Sequence, residues 1–282
     1  MGCHSPMNAY RSLDHGGVSL REPLDRDSNG YEFLRLPCGT CLGCRASRAR
    51  DWAFRLRLEL TDHDRACFIT LTYGLDAPFT LSKRDLALFF KRFRVGLHPR
   101  RIRFFGCGEY GEQNRRPHYH AIVFGASVND RSAIATAWPH GFVRVDPVTP
   151  ARLKYVAGYT TKKSGMPSAR EFVQEHVDDY GEVHRVLFQP PFLQMSRNPG
   201  IGSTARQFTK SWRLHAVDNG VSIPVPRYLH DAWVKTSSPE QIEELKNYKN
   251  NLPRPLLDKQ ALHALKLAAE TRREHSTSKR SL

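Results

Sequence analysis

The chain has 282 residues, 43 of them lysine or arginine and 28 aspartate or glutamate, for a formal net charge of +15. A 40% apolar and 10% aromatic content is enough to build a core, which excludes global disorder. No apolar run approaches the ~20 residues that a bilayer span needs, and Met1-Gly2-Cys3-His4-Ser5-Pro6 has neither a signal-peptide pattern nor a myristoylation pattern, so the expectation is a soluble intracellular protein with no membrane partner.

Residues 1–37 read as loop, because Gly16-Gly17, Pro23, Asp27-Ser28-Asn29-Gly30 and Pro37 are breakers. A helix is expected over 45–61, with Ala49, Trp52, Ala53, Leu56 and Leu60 as its apolar stripe. The β-branched and aromatic run Ala66–Tyr73 predicts a strand, with Phe68, Thr70 and Thr72 on one face and Cys67, Ile69, Leu71 and Tyr73 on the other. A second helix is expected from Ser82, where Ser82 and Asp85 resemble a capping box and Leu86, Phe89, Phe90 and Phe93 face the core. Arg103–Glu109 and Tyr119–Gly125 read as a strand pair across a short polar segment. A small helix over 131–138, a strand over 141–146 and a helix from Thr149, with Pro150 in its first turn, follow. Residues 183–195 add strands, 239–249 and 255–273 read as helices, and 276–282 as a frayed tail. This order predicts an α+β fold: a central antiparallel sheet flanked by helices, with a cysteine-rich N-terminal segment and a helical C-terminal region. The expected divisions are 1–44, 45–215 and 216–282.

Arginine outnumbers lysine 31 to 12. Arginine binds phosphate bidentately and stacks on flat rings, so this balance points to a nucleic-acid partner. The clusters at 45–57, 91–94 and 100–103 are candidate phosphate contacts, or simply a solvated basic face. Arg115 and Arg116 are favoured because they adjoin the next motif.

In Arg116-Pro117-His118-Tyr119-His120, a strand would project His118 and His120 to one face. A hairpin would carry Glu109 toward them. Two imidazoles and a carboxylate with open positions make a catalytic type of metal site, admitting Mn2+ readily and Mg2+ less comfortably. In isolation, a His-x-His pair more often describes two surface histidines on an edge strand. In Tyr155-Val-Ala-Gly-Tyr159-Thr-Thr-Lys162-Lys163, a helix would set both tyrosines on one face, with the lysines one turn further on. An ammonium nearby favours a phenolate and can hold a phosphate; alone, the pair more often describes tyrosines packed on a sheet with the lysines in solvent. Gly158 between them suggests the close approach of something to the helix. Together the two motifs form a phosphoryl-transfer apparatus. Cys38, Cys41 and Cys44 have the spacing of metal ligands rather than of a disulfide framework. A structural zinc site needs a fourth ligand: Cys3 is the first candidate and His4 the alternative, since Cys67 and Cys107 fall in expected strands.

These motifs resemble the HUH endonuclease superfamily of rolling-circle replication initiators, and more narrowly the initiators of gokushovirus-like (Microviridae) single-stranded DNA phages. The resemblance rests on Phe68-Ile-Thr-Leu-Thr-Tyr73, on Gly108-Glu109-Tyr110-Gly111 with Arg116–His120, and on Tyr155-x-x-x-Tyr159-x-x-Lys162. Pro37–Arg45 and Ser196-Arg-Asn-Pro-Gly-Ile-Gly202 also look like that phage group, and the likeness covers roughly 37–215. It implies an HUH (RRM-like) fold and an endonuclease that nicks and rejoins single-stranded origin DNA, leaving a 5′-phosphotyrosine and a free 3′-hydroxyl. It further implies Mg2+ or Mn2+ at His118, His120 and Glu109, Tyr159 as the first choice of nucleophile with Tyr155 as the other tyrosine of a two-tyrosine scheme, and Lys162 supporting the phenolate or contacting the phosphate. Arg115, Arg116 and Lys163 would contact DNA. The setting would be the bacterial host cytoplasm, with host polymerase and helicase as partners. The competing readings are a non-catalytic, zinc-stabilised DNA-binding protein and an HUH transposase or relaxase.

Overall fold

The structure is a computed structural model that describes residues 2–24, 30–75, 77–111, 115–162, 173–177, 180–218, 220–251 and 259–278. Two compact units divide the chain, residues 1–48 with 251–282 and residues 49–250.

In the first unit, β1 (Met7–Ser12), β2 (Val18–Ser19) and β3 (Tyr31–Leu36) form an antiparallel sheet in the order β2-β1-β3. This corrects the expectation of loop over 1–37. The glycines that read as breakers close a turn: Gly16 takes φ +67° and donates its N–H to Ser12 O at 2.9 Å. The strands went unseen because much of their surface stays exposed, so they lack clean apolar alternation. Helix α1 (Leu42–Leu60) begins in this unit and continues into the second.

The second unit is built on a five-stranded antiparallel sheet. In chain order its elements are β4 (Ala66–Tyr73), α2 (Lys83–Gly96), β5 (Arg103–Tyr110), β6 (Pro117–Phe124), α3 (Arg131–Ala137), β7 (Gly141–Pro147) and α4 (Pro150–Lys162). A ribbon of β8 (Val173–Val177) and β9 (Val183–Leu187) follows, then β10 (Phe192–Met195), the hairpin β11 (His215–Asp218) and β12 (Val221–Pro224), α5 (Arg227–Thr236) and α6 (Pro239–Asn251). The sheet order is β10-β5-β6-β4-β7. The last helix, α7 (Lys259–Ser278), belongs to the first unit. Of the helix and tail expected in this region, 255–258 and 279–282 lie outside the described residues.

The period-2 alternation of β4 divides the core as the sequence implied. Cys67, Ile69, Leu71 and Tyr73 join Leu86, Phe89, Phe90 and Phe93 of α2 and Ile134 of α3 on one face. Phe68 lies on the other face with Phe105, Ile122, Ala53 and Leu56 of α1, and Leu153, Val156 and Ala157 of α4. Ser82 caps α2 by accepting the Asp85 N–H at 3.1 Å. The capping box is only half formed, because the Asp85 carboxylate accepts from the Tyr73 hydroxyl and the Ser82 N–H goes to Tyr119 Oη. Thr149 caps α4, with Oγ1 accepting the Arg152 N–H at 3.3 Å and its carbonyl the Leu153 N–H.

A third cluster joins Phe54 of α1 to Trp212, Ile223, Leu229 and Trp233. The segment 199–202 is held by buried charge. Glu59, 2% exposed, pairs with Arg103 and accepts the Gly202 N–H at 2.6 Å. Arg103 donates to Pro199 O and Gly200 O, and Arg55 to Ile201 O. A carboxylate this deep is tolerable because each oxygen has a partner.

Candidate active site

Register assembles the site. Antiparallel pairing sets Glu109 of β5 opposite His118 of β6, and Thr70 of β4 opposite His120. All four project from the face that carries α1 and α4, at the end where its apolar core gives way to polar residues. Helical spacing places Tyr155 and Tyr159 of α4 one turn apart over the same spot.

One carboxylate oxygen is the focus. Glu109 Oε1 lies 3.0 Å from His118 Nε2, 2.9 Å from His120 Nε2 and 3.0 Å from the Tyr155 hydroxyl that donates to it. The Tyr159 hydroxyl donates in turn to Tyr155 Oη at 2.5 Å. The outer nitrogens of both imidazoles are anchored. His118 Nδ1 is 3.1 Å from Arg116 O, and His120 Nδ1 is 3.0 Å from Thr70 Oγ1. A carbonyl can only accept, so Nδ1 of His118 carries a hydrogen; Nε2 donates to Glu109 when the ring is protonated and offers a lone pair to a cation when it is neutral. Phe68 stacks on the His120 ring at 5.5 Å between centroids.

Electrostatics follow from this crowding. Burial acts to raise the Glu109 carboxyl, but hydrogen bonds from His118, His120 and Tyr159 prevail and hold it well below the usual carboxylate range. Burial, with the Glu109 charge, pushes the Tyr155 phenol up to about 12 despite the hydrogen bond from Tyr159. Burial and the hydrogen bonds to Glu109 and Tyr155 push Tyr159 up further. The cluster therefore holds one fixed negative charge, two imidazoles and two protonated phenols.

Glu109, His118 and His120 offer ligand atoms that all lie within 4.8 Å of one another. Beside them opens a cavity of about 280 Å³ lined by Phe68, Thr70, His120, Arg144, Asp146, Arg152 and Tyr155. Asp146 pairs with Arg144 and Arg152, so the cavity wall is cationic on balance.

The expected site residues thus divide. His118, His120, Glu109, Tyr155 and Tyr159 come together. Tyr155 is 41% exposed and Tyr159 only 6%. Lys162 is the last residue of α4, its side chain not described, and Lys163 lies outside the described residues. Arg115 is exposed at φ 48°, and Arg116 donates to Tyr73 O and Gly74 O, tying the hairpin to the end of β4. A Cβ on Gly158 would meet nothing within 4 Å among the described residues, the backbone of its own helix aside. Cys3, Cys38, Cys41 and Cys44 cluster separately in the first unit. Sequence reading missed Thr70 and Phe68 as supports of His120, and Arg144, Asp146 and Arg152 as a wall. Only the alternation of β4, which sets Phe68 and Thr70 on one face, hinted at the first two.

Residues 66–164 match the family model described as "Replication-associated protein ORF2/G2P". The chain is 28% identical over 271 residues to the replication-associated protein VP4 of Bdellovibrio phage phiMH2K, covering 86% of this chain and 79% of that protein. It is 25% identical to the replication-associated protein ORF2 of Spiroplasma virus 4, over 81% of this chain and 79% of that one. This chain is similar to phage replication-associated proteins. A third such protein, ORF4 of Chlamydia phage 1, is 30% identical over 82% of this chain and 62% of its own length. The family match contains the whole Glu-His-His and tyrosine cluster, whereas the four clustered cysteines precede it. A solved structure, the hypothetical protein ORF119 from Sulfolobus islandicus rod-shaped virus 1, is 24% identical over 41% of this chain and 97% of that one, at a TM-score of 0.29.

Proposed function

We propose that this chain is a replication initiator of a single-stranded DNA phage, a metal-dependent endonuclease and ligase that nicks and rejoins origin DNA through tyrosine. The observation that carries the reading is the convergence of His118 Nε2, His120 Nε2 and the Tyr155 hydroxyl on one oxygen of Glu109. Kinship with phage replication-associated proteins supports the replication role.

The residues fit a divalent cation: two inward imidazole nitrogens fixed from behind by Arg116 O and Thr70, and a carboxylate kept ionised between them. Mn2+ or Mg2+ bound there would polarise a phosphodiester. The chain's own work is to supply the nucleophile and hold the strand. A phenol oxygen bonds to phosphorus as the bond to the 3′ oxygen breaks, and the phenolic proton passes, in net terms, to that oxygen. The products are a 5′-phosphotyrosine and a free 3′-hydroxyl for a host polymerase to extend. The reverse reaction closes the circle. The Tyr-x-x-Lys pattern favours Tyr159 as nucleophile, while exposure makes Tyr155 the easier to reach; in the two-tyrosine scheme one nicks the origin and the other accepts the DNA when the circle is finished. Lys162 and Lys163 follow on the α4 side, and Arg115 and Arg116 on the hairpin side, as contacts for DNA phosphates. The setting is the bacterial host cytoplasm, with the host helicase opening the duplex.

The test is cleavage of labelled single-stranded oligonucleotides tiling the replicon that encodes this chain. With Mn2+ the unaltered protein cleaves one of them and leaves a protein-linked label. His118→Ala with His120→Ala, and Tyr155→Phe with Tyr159→Phe, each reduce cleavage to background. Single tyrosine variants rank the two phenols. Salt-sensitive binding without any cleavage would favour a non-catalytic DNA-binding protein.

A further inference from the structure

The first unit contains a second cluster that the nicking chemistry does not use. Cys3, Cys38, Cys41 and Cys44 bring four Sγ atoms within 4.8 Å of one another. All four are thiols. Cys3 and Cys41 are 3.8 Å apart at sulfur, which is the edge of a tetrahedron with ~2.3 Å metal–sulfur bonds and nearly twice a disulfide bond. Three of the sulfurs also accept backbone N–H groups. Backbone N–H groups of Cys38, Cys41, Cys44 and His4 point at Cys3, Cys38, Cys41 and Cys41 Sγ, at 3.3 to 3.5 Å.

Three features show that the surroundings are built for it. A Cβ on Gly43 would collide with Gly2 O, so this position in Cys-Leu-Gly-Cys must be bare for the 2–4 segment to cross the first turn of α1. Arg45 donates to Thr40 O at 2.6 Å and Arg48 to Gly39 O at 3.3 Å, which sets two guanidinium groups against the loop carrying Cys38 and Cys41. A tetrathiolate centre around a dication has a net charge of −2, and these arginines offset it. Cys3, and not His4, stands fourth with the other cysteines. The His4 ring is buried outside the sulfur cluster, and its backbone serves Cys41.

We propose that Cys3, Cys38, Cys41 and Cys44 bind one Zn2+ as a closed structural site. The ion joins three pieces of chain, the 2–4 segment, the loop after β3 and the start of α1. Binding forms four Zn–S bonds and releases the four thiol protons to solvent, with no change in oxidation state. Four sulfurs fill a tetrahedral shell and leave no place for substrate, so the ion is structural. The inference does not depend on the nicking chemistry.

The experiment is metal analysis of the full chain purified under reducing conditions. Expected are one zinc per chain, its stoichiometric release by an organomercurial, and the intense visible absorption of tetrahedral sulfur-ligated cobalt after Co2+ exchange. Cys38→Ser with Cys41→Ser loses the zinc. His118→Ala with His120→Ala keeps it, and this separates the site from the one that cleaves DNA. Zinc no higher than in the cysteine variant, iron in its place, or mercurial titration of four thiols without zinc release would overturn the proposal. The last readout needs no variant to fold.

Discussion

The two candidate metal centres differ in how the chain makes them. Three of the four cysteines lie within seven residues, on a loop and the first turn of one helix, and backbone N–H groups point at the sulfurs of Cys3, Cys38 and Cys41. Glu109, His118 and His120 come from two strands, depend on exact register, and face a helix that brings phenols rather than further ligands. One set closes its shell with soft, identical donors. The other mixes nitrogen and oxygen and leaves a side open to a cationic cavity. Ligand softness and shell closure are what separate a metal that holds a fold from one that meets a substrate.

The largest expected effects come from exchanging insults between the centres. A carboxylate-type chelator added to the full chain should abolish nicking at once, with activity restored by Mn2+, and leave the zinc and the thermal midpoint unchanged over the same minutes. A mercurial should do the reverse, releasing zinc and lowering the midpoint. If one reagent removed both properties together, the division into open and closed centres would be wrong.

A smaller effect tests the support behind the open centre. Thr70→Val removes the oxygen that fixes His120 Nδ1 and keeps the shape of the strand. Metal affinity in the nicking reaction, read as the Mn2+ concentration for half-maximal rate, should weaken about 10- to 100-fold with zinc content unchanged. An unchanged Mn2+ dependence would show that Thr70 does not orient the ring.

The smallest effect is a control in neither centre. Burial acts to raise the Asp130 carboxyl, but Arg100 and the Ser127 N–H hold it below the usual range. A depressed carboxyl adds stability above the unfolded value, about pH 4, and loses it as pH falls through the lower folded value. Asp130→Asn should cost about 1 kcal/mol or less at neutral pH and flatten the acid limb of stability below pH 4. Nicking and zinc content should not change. A steeper acid limb would contradict the assignment.

The sequence made the sheet face of the site legible because strand alternation leaves two readable rows, Phe68-Thr70-Thr72 and Cys67-Ile69-Leu71-Tyr73. It also made the α2 core stripe and the His-x-His pair legible, since each is a local period. What depends on register was hidden. Nothing in the order of residues says that Thr70 pairs with His120, or that Arg144 and Asp146 of β7 line the same cavity. The β1–β3 sheet was hidden for another reason: its strands remain half exposed, and its glycine turn carries the same residues as a loop. Exposure also reordered the tyrosines. Helical spacing treats Tyr155 and Tyr159 alike, and only packing makes one accessible and the other buried.

The most direct measurement is the site of covalent attachment. After reaction with a cleavable single-stranded oligonucleotide and Mn2+, nuclease trimming and trypsin digestion, the peptide from Tyr155 to Lys162 contains both phenols, because Lys154 and Lys162 bound it. The account predicts a nucleotide mass on this peptide, on Tyr155 or Tyr159 by fragmentation, and none in the His118→Ala, His120→Ala protein. An adduct on any other residue, or cleavage that proceeds fully with no adduct at all, would contradict it.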